Sequence, residues 1–484
     1  MRSLVTPAPL ALAACLSLGL GLGACRRAEP PMRSAEATAT KTPAAADACA
    51  GAKASGPLRW FHDDYGAALA CARARKQPLV VDLWAPWCHT CLSMQETVFQ
   101  DPELAGPAER FVFLALDTDR EVNAKAVARM PPGAWPTFYV VSSEDEAVQA
   151  RFVGAASKAQ FLDFLEQGAR GASAGTSAGS ADDLLRQADR AVVIKDYPAA
   201  VTSYKAALTA APKDWTRRPD ALVSLAGAHR RAGDLEACVA LGETALGQTG
   251  AAASVTDFLV VTLGCADGLP EQAAKRQKAF QRAAAERLTA LLADPAAQLS
   301  VDDRSDAMMN LRTLQDALGQ RDAARATAAA QRALLDDAAA AASSPRAAMT
   351  YNWPRAEVYV YLGKGLELVD DLEASAAALP DEYDPPYRLA WTLLQSGKAE
   401  EAAAWCDKAK QLVYGPRKAR VINLAIDIAV ARKDAAAERA GRAELVAMYQ
   451  ALPAEQAAPE ALAKAQAALE ALDAAAAKTA PVAK

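Results

Sequence analysis

The chain of 484 residues has only three histidines, few aromatics (6%) and no surplus of positive charge, its net charge being −5. Each scarcity excludes something. With so few imidazoles, and no second cysteine pair at ligand spacing, a four-ligand Cys/His zinc site lacks half its donors. A mildly acidic balance without a cationic run gives nucleic acid no surface to bind. Long apolar runs are scarce too. Arg2 precedes one from about 9 to 24, which has the pattern of an export signal; its length is also nearly that of a bilayer span, so a plain transmembrane anchor is the other reading.

What the sequence does have is a dithiol at a particular place. Pro78 marks the entry to a short apolar run over 79–83, of buried-strand length, and Pro86 forbids that strand from continuing. Cys88 then falls at or just before a helix start, where unpaired N–H groups and the positive end of the helix dipole favour thiolate over thiol. Cys91 lies three residues on, along the same helical face, and can close onto Cys88. A lone C-x-x-C is also what half a zinc site looks like, but the other half is missing, and the pair reads as redox-active.

Val81-Asp82-Leu83-Trp84-Ala85-Pro86-Trp87-Cys88-His89-Thr90-Cys91 resembles the active-site segment of the thioredoxin superfamily. Trp135-Pro136-Thr137 resembles that family's cis-proline turn. Val153-Gly154-Ala155, followed by Ser157 to Phe161, resembles its last strand and terminal helix. Trp60, the 67–74 helix, Lys76-Gln77-Pro78 and Val98-Phe99-Gln100-Asp101-Pro102 are most similar to the periplasmic thiol-reducing domain of DsbD-type interchange proteins. The resemblance implies an α/β domain with a central mixed sheet between helices, and no cofactor other than a redox-active Cys88–Cys91 disulfide. Cys88 would attack and Cys91 resolve. Asp82 would be the buried acid beneath the dithiol, its pKa raised by apolar surroundings so that it can exchange a proton with Cys91. Pro136, if cis, would face the dithiol, with Trp87, His89, Thr90, Trp135 and Gly154 lining the substrate groove. Three departures qualify the likeness. His89 stands where thioredoxin has glycine, and its imidazolium would shift the pair toward oxidant. Gln95 replaces a usual glutamate, and Trp135 precedes the proline where smaller residues are usual.

Composition divides the rest. Leu22-Gly23-Ala24-Cys25 resembles a bacterial lipoprotein cleavage box, which would make 1–24 a signal peptide and Cys25 an acylated first residue. Residues 25–56, rich in Ala, Pro and Thr, are expected to be a disordered tether. The thioredoxin-like domain is expected over 57–168, with helix 65–75, a strand at 111–116 and a hairpin of 137–142 with 147–152. A flexible linker follows at 169–180. Cys49 and Cys71 could pair in an oxidising compartment, or Cys71 could simply be a small buried residue.

From 181 to 477 the sequence is alanine-rich and repetitive, resembling degenerate tetratricopeptide units stacked as an all-α solenoid. Copies are placed at Asp196 with Ala200, Tyr204 and Ala207; at Gly233-Asp234-Leu235 with Ala245; at Asp322 with Ala326, Ala330 and Ala333; and at Gly397-Lys398 with Ala402, Cys406 and Ala409. The aromatics Tyr351, Trp353, Tyr359, Tyr361, Tyr383, Tyr387 and Trp391 read as core between helices, a peptide groove being the alternative. Residues 478–484 are expected to be a disordered tail.

The sequence-level expectation is therefore an exported, lipid-anchored thiol:disulfide oxidoreductase facing the periplasm, at the outer membrane if Arg26 acts as a sorting residue. It would be a protein-disulfide reductase acting on protein thiols and disulfides, supplied by an external electron-donor protein, with the helical repeats recruiting protein partners and no role for nucleic acid. Two alternatives stay open here: a scaffold whose thioredoxin-like fold is a redox-inactive adaptor, and copper delivery through Cys88, Cys91 and His89.

Overall fold

A computed structural model describes residues 48–172 and 177–479. The expected signal peptide, Cys25, the tether up to residue 47, linker residues 173–176 and tail residues 480–484 lie outside the described residues.

Six strands make one mixed sheet: β1 (Lys53–Ser55), β2 (Leu58–His62), β3 (Leu79–Trp84), β4 (Val112–Asp117), β5 (Thr137–Val141) and β6 (Val148–Val153), in the order β1-β2-β4-β3-β5-β6. Strand β3 is central, parallel to β4 and antiparallel to β5, and is covered on both faces, which is why it reads as an unbroken apolar run. Its side chains alternate between two cores. Val80 packs with Trp60, Met94, Phe99, Phe138 and Phe161, under helices His89–Glu96 and Lys158–Ala172. Val81 and Leu83 pack with Phe61, Ala68, Leu114 and Tyr139, under helix Tyr65–Arg75. By the same alternation Asp82 falls on the Val80 side, toward the active-site helix.

Three expectations about the borders change. Ordered structure begins inside the expected tether: β1 pairs with β2, and Cys49 is disulfide-bonded to Cys71, so Cys71 is not merely a small core residue. At the other end, helix Lys158–Ala172 continues into the expected linker, because Phe161, Phe164 and Leu165 hold its apolar stripe on the sheet. Helix Pro459–Thr479 likewise runs past 477 into the expected tail.

The all-α part is a series of helix pairs. Second helices Tyr197–Ala210, Leu235–Ala245, Arg321–Ala341 and Ala399–Leu412 follow first helices Ala181–Val193, Arg218–Arg231, Val301–Ala317 and Asp384–Gln395. Asp196 and Asp234 cap their helices by accepting from the N–H of Ala199 and Ala237. Small residues one turn in (Ala200, Cys238, Ala324, Ala402) are all buried. The third copy begins two residues earlier than its expected position at Asp322. Its cap is Gln320 rather than Asp322, the buried positions are Ala324, Ala328 and Gln331, and Ala326, Ala330 and Ala333 are exposed. In a helix this rich in alanine, residue type alone does not reveal which face is inward. Pair Ser254–Asp267 and Ala274–Ala293, the stretch poorest in repeat pattern, is joined to the preceding helix by a Cys238–Cys265 disulfide that spacing did not suggest.

The helical array wraps the thioredoxin-like domain, touching it along most of its length. Arg190 donates to the Val148 carbonyl (2.8 Å), Arg217 to that of Arg151 (3.1 Å) and Arg231 to that of Gly133 (2.9 Å). Farther along, the Ser300 hydroxyl lies 3.3 Å from that of Ser93, and Arg388 reaches the Trp87 carbonyl (3.4 Å). Gln456 donates to the carbonyls of Thr118 and Asp119 (3.4 Å each). The array therefore crosses the active-site face instead of hanging from a linker.

Candidate active site

Strand β3 ends at Trp84, and the chain turns through Ala85 and Pro86, the Cys88 N–H donating to the Ala85 carbonyl (3.0 Å). Cys88 is the N-cap of helix His89–Glu96, in extended conformation, and its sulfur accepts the Cys91 N–H at 3.0 Å. That contact and the open N–H groups of the first turn supply the field that favours a Cys88 thiolate once the bridge is reduced. Cys88 and Cys91 are disulfide-bonded, with Cα atoms 5.2 Å apart.

Asp82 is 2% exposed, and its Oδ1 has no hydrogen-bond partner. Burial without compensation pushes its carboxyl up to about 8. It is thus a proton donor and acceptor in the range where thiols titrate. The Trp135–Pro136 peptide bond is cis, and the Gly154 N–H donates to the Pro136 carbonyl (2.9 Å). The rings of Trp135 and Trp87 lie 5.2 Å apart, Trp135 anchored by its indole N–H on the Thr118 hydroxyl (2.8 Å) and Trp87 on the Asp119 carboxylate (2.7 Å). Thr90 is half-buried in the first turn of the active-site helix. Gln95, in place of the usual glutamate, is half-buried, its backbone carbonyl accepting from the Gln100 side chain, and Glu96 faces solvent.

The dithiol is not open to solvent. Cys88 is 4% exposed and Cys91 2%. Trp87 packs against the core of the array, with the Arg417 guanidinium 4.2 Å from its ring centre. His89 Nδ1 meets both oxygens of Asp302, at 2.8 and 3.0 Å. Gly154, at φ +91°, abuts Asp257, whose carboxylate oxygen would lie 2.1 Å from any Cβ placed there. Of the groove residues Trp135 keeps the largest opening, at 37% exposed. The aromatics of 351–391 behave as core: Tyr359, Tyr383 and Tyr387 are buried, and the cluster containing them extends to Trp87.

Sequence reasoning missed the array's share of the site: Asp257, Asp302, Asp306, Arg388 and Arg417. The one local trace was a Ser300-x-x-Asp303 capping box, which announces a helix start but not what the helix faces. In the disulfide form the two sulfurs are bonded to each other, and His89 turns its Nδ1 to Asp302.

Residues 60–140 match the family model described as thioredoxin-like. Over 102 residues the chain is 28% identical to the thiol:disulfide interchange protein DsbD of Vibrio vulnificus, in two strains. That match covers 20% of this chain and 17% of the relative, so the chain spans only about a sixth of the protein it resembles. Among solved structures, a tetratricopeptide repeat protein of Parabacteroides merdae aligns over 60% of this chain and 98% of its own (16% identity, TM-score 0.39). A thermophilic tetratricopeptide repeat protein of Thermus thermophilus aligns over 52% and 99% (18% identity, TM-score 0.25). At those scores the superpositions carry no argument, and the repeat assignment stands on the helix pairs and their buried small residues. The chain thus carries a thioredoxin-like domain followed by tetratricopeptide-like helical repeats.

Proposed function

We propose that this protein is a thiol:disulfide oxidoreductase, working as a protein-disulfide reductase, whose helical repeats select the proteins that reach the dithiol. The observation that carries this reading is the position of Cys88, capping a helix and accepting the Cys91 N–H; the strand that leads into that helix carries a buried Asp82 pushed up to about 8. In the reduced pair, the Cys88 thiolate attacks one sulfur of a substrate disulfide and the other sulfur leaves as a thiolate. Asp82 takes the proton from Cys91. The Cys91 thiolate then attacks Cys88 Sγ, releasing the second substrate sulfur and closing the Cys88–Cys91 bridge. Two electrons have passed to the substrate, and an external electron-donor protein must return them. Because in-line attack needs room for a third sulfur, the array must move off Trp87 and His89 before a protein substrate can react.

Export and lipid anchoring at Cys25 complete the proposal on sequence grounds. Cys25→Ala should leave an unprocessed precursor without fatty-acid label; normal cleavage and labelling would remove that part. The central reading is tested with Cys91→Ser in the full chain, which lacks the resolving thiol and should hold partner proteins on Cys88 as mixed disulfides. The burial of the dithiol favours one rival, a scaffold with an inert adaptor. If Cys91→Ser traps no more than a Cys88→Ser control, the rival wins.

A further inference from the structure

His89 is held differently from the chain's other two described imidazoles. It sits in the first turn of the active-site helix, next to Cys88, with its side chain 19% exposed, and its Nδ1 is gripped by both oxygens of an Asp302 side chain that is wholly buried. Asp302 lies in the first turn of Val301–Ala317, beside Asp303 and one turn before Asp306. Asp306 also faces the ring. Arg388, of helix Asp384–Gln395, also acts on the ring and donates to the Trp87 carbonyl, and Arg346, of helix Pro345–Met349, lies over the Trp84 ring. Among these, Asp302 alone makes direct contact with the imidazole. Among the described residues this buried carboxylate has no other cation within hydrogen-bond reach, so its charge is balanced, and not merely hydrogen-bonded, only when His89 is the imidazolium.

We propose that Asp302 is a positioning residue of the redox site, supplied by the helical array, which holds His89 as an imidazolium beside Cys88 and so makes the poise of the dithiol depend on docking of the array. Resting on the reading of Cys88–Cys91 as a working dithiol, the proposal adds regulation to that site. A fixed cation next to the helix N-terminus stabilises the Cys88 thiolate and hence the reduced pair, making the disulfide more oxidising. When the array lifts, Asp302 leaves, His89 returns to an ordinary solvated imidazole, and the exposed dithiol becomes more reducing. Access and reducing power thus rise together. The local charges agree: burial alone would lower the His89 pKa, but Asp302 and Asp306 outweigh it and Arg388, bringing it to about 9, whereas burial lowers His62 and His229.

The scarcity of histidine makes this measurable. In the full chain, the imidazole resonances of His89 should show a protonated ring at pH 7, and Asp302→Asn should move its titration below 7. Equilibration with glutathione, read on the peptide containing Cys88 and Cys91, should show Asp302→Asn lowering the oxidising constant about tenfold, which is ~30 mV for a two-electron couple. The Cys88 thiolate should then form at higher pH. In a His89→Gln background, Asp302→Asn should change neither quantity. A wild-type His89 that is neutral at pH 7 overturns the proposal, and so does an Asp302→Asn effect that persists without His89, since a mere latch between domains would give that result. Normal glutathione exchange with an unshifted constant in Asp302→Asn overturns it while leaving the oxidoreductase reading intact. No exchange at Cys88–Cys91 in the wild type overturns both.

Discussion

Cys88–Cys91 and Cys238–Cys265 are both buried bridges, yet their surroundings are opposite. The first lies at a helix N-terminus, after a strand that carries a buried carboxyl with an unpaired oxygen, and next to an imidazole. The second joins two helices inside a cluster of Val239, Val255, Leu259, Phe280 and Leu288, both sulfur-bearing residues being 0% exposed. Cys265 stands in the last turn of its helix, where the dipole opposes a thiolate. Redox chemistry therefore needs more than two cysteines within bonding distance. It needs a field that stabilises the thiolate and a group that exchanges the second proton. The distant pair has neither and serves as a staple.

The sharpest consequence concerns activity. Cys88→Ser should abolish disulfide exchange with a generic model disulfide, whereas the double variant Cys238→Ala, Cys265→Ala should exchange at the wild-type rate. Measurable turnover by Cys88→Ser would mean that another thiol does the work. Next in size is the pH dependence set by Asp82. Its carboxyl ionises near 4 in the unfolded chain and near 8 in the folded one. Between those values the folded protein holds a proton that the unfolded chain has lost, so stability falls as pH rises from about 4 to 8. Asp82→Asn removes that loss. The variant should be the more stable at pH 8.5, by an amount on the order of several kcal/mol at most, and its advantage should vanish below pH 4. Guanidinium unfolding at the two pH values checks this; an equal difference at both would show that Asp82 is not protonated in the fold.

For the staple the effect is moderate and confined to stability. Removing Cys238–Cys265, which spans 27 residues, should cost about 3.5 kcal/mol by loop-closure entropy, with no change in the glutathione equilibrium of Cys88–Cys91. A shift in that equilibrium would couple two regions that the structure keeps apart.

How much of this was legible beforehand follows the same division. The dithiol strand, its helix start, Asp82 and Pro136 declared themselves, because a strand ending in Pro86 and a capping Cys88 are encoded within a dozen residues. Element type in the array was equally plain, but its register was not: two turns of alanine offered equivalent faces, and only packing chose Ala324 over Ala326. Least legible was the docking of the two parts. The pairing of His89 with Asp302 spans 213 residues, and a run of small polar residues at 173–180 suggested separation where the described contacts show attachment. Local sequence specifies a dithiol; the partner that covers it is specified by complementary surfaces that no single segment contains.

The smallest effect, and the most direct on that covering, is expected at Gly415. It lies in the array, before helix Lys418–Ala431, at φ +57°, and a Cβ added there would fall 1.9 Å from the backbone oxygen of Asp119 in the thioredoxin-like domain. A backbone oxygen cannot swing aside as a side chain can, and left-handed backbone is itself unfavourable for alanine. Gly415→Ala should therefore ease the array off at this end, near Tyr414, whose hydroxyl binds Asp117, and Arg417, which covers Trp87. Nothing in either hydrophobic core of the thioredoxin-like domain is touched, so the domain itself should keep its stability. After mild reduction, alkylation of Cys88 should be several-fold faster in Gly415→Ala than in the wild type, while buried Cys406, deep between its own helices, should react no faster. Equal Cys88 rates would show that closure is held elsewhere along the array. A parallel rise at Cys406 would mean that the variant had loosened the array as a whole instead of parting it from the site.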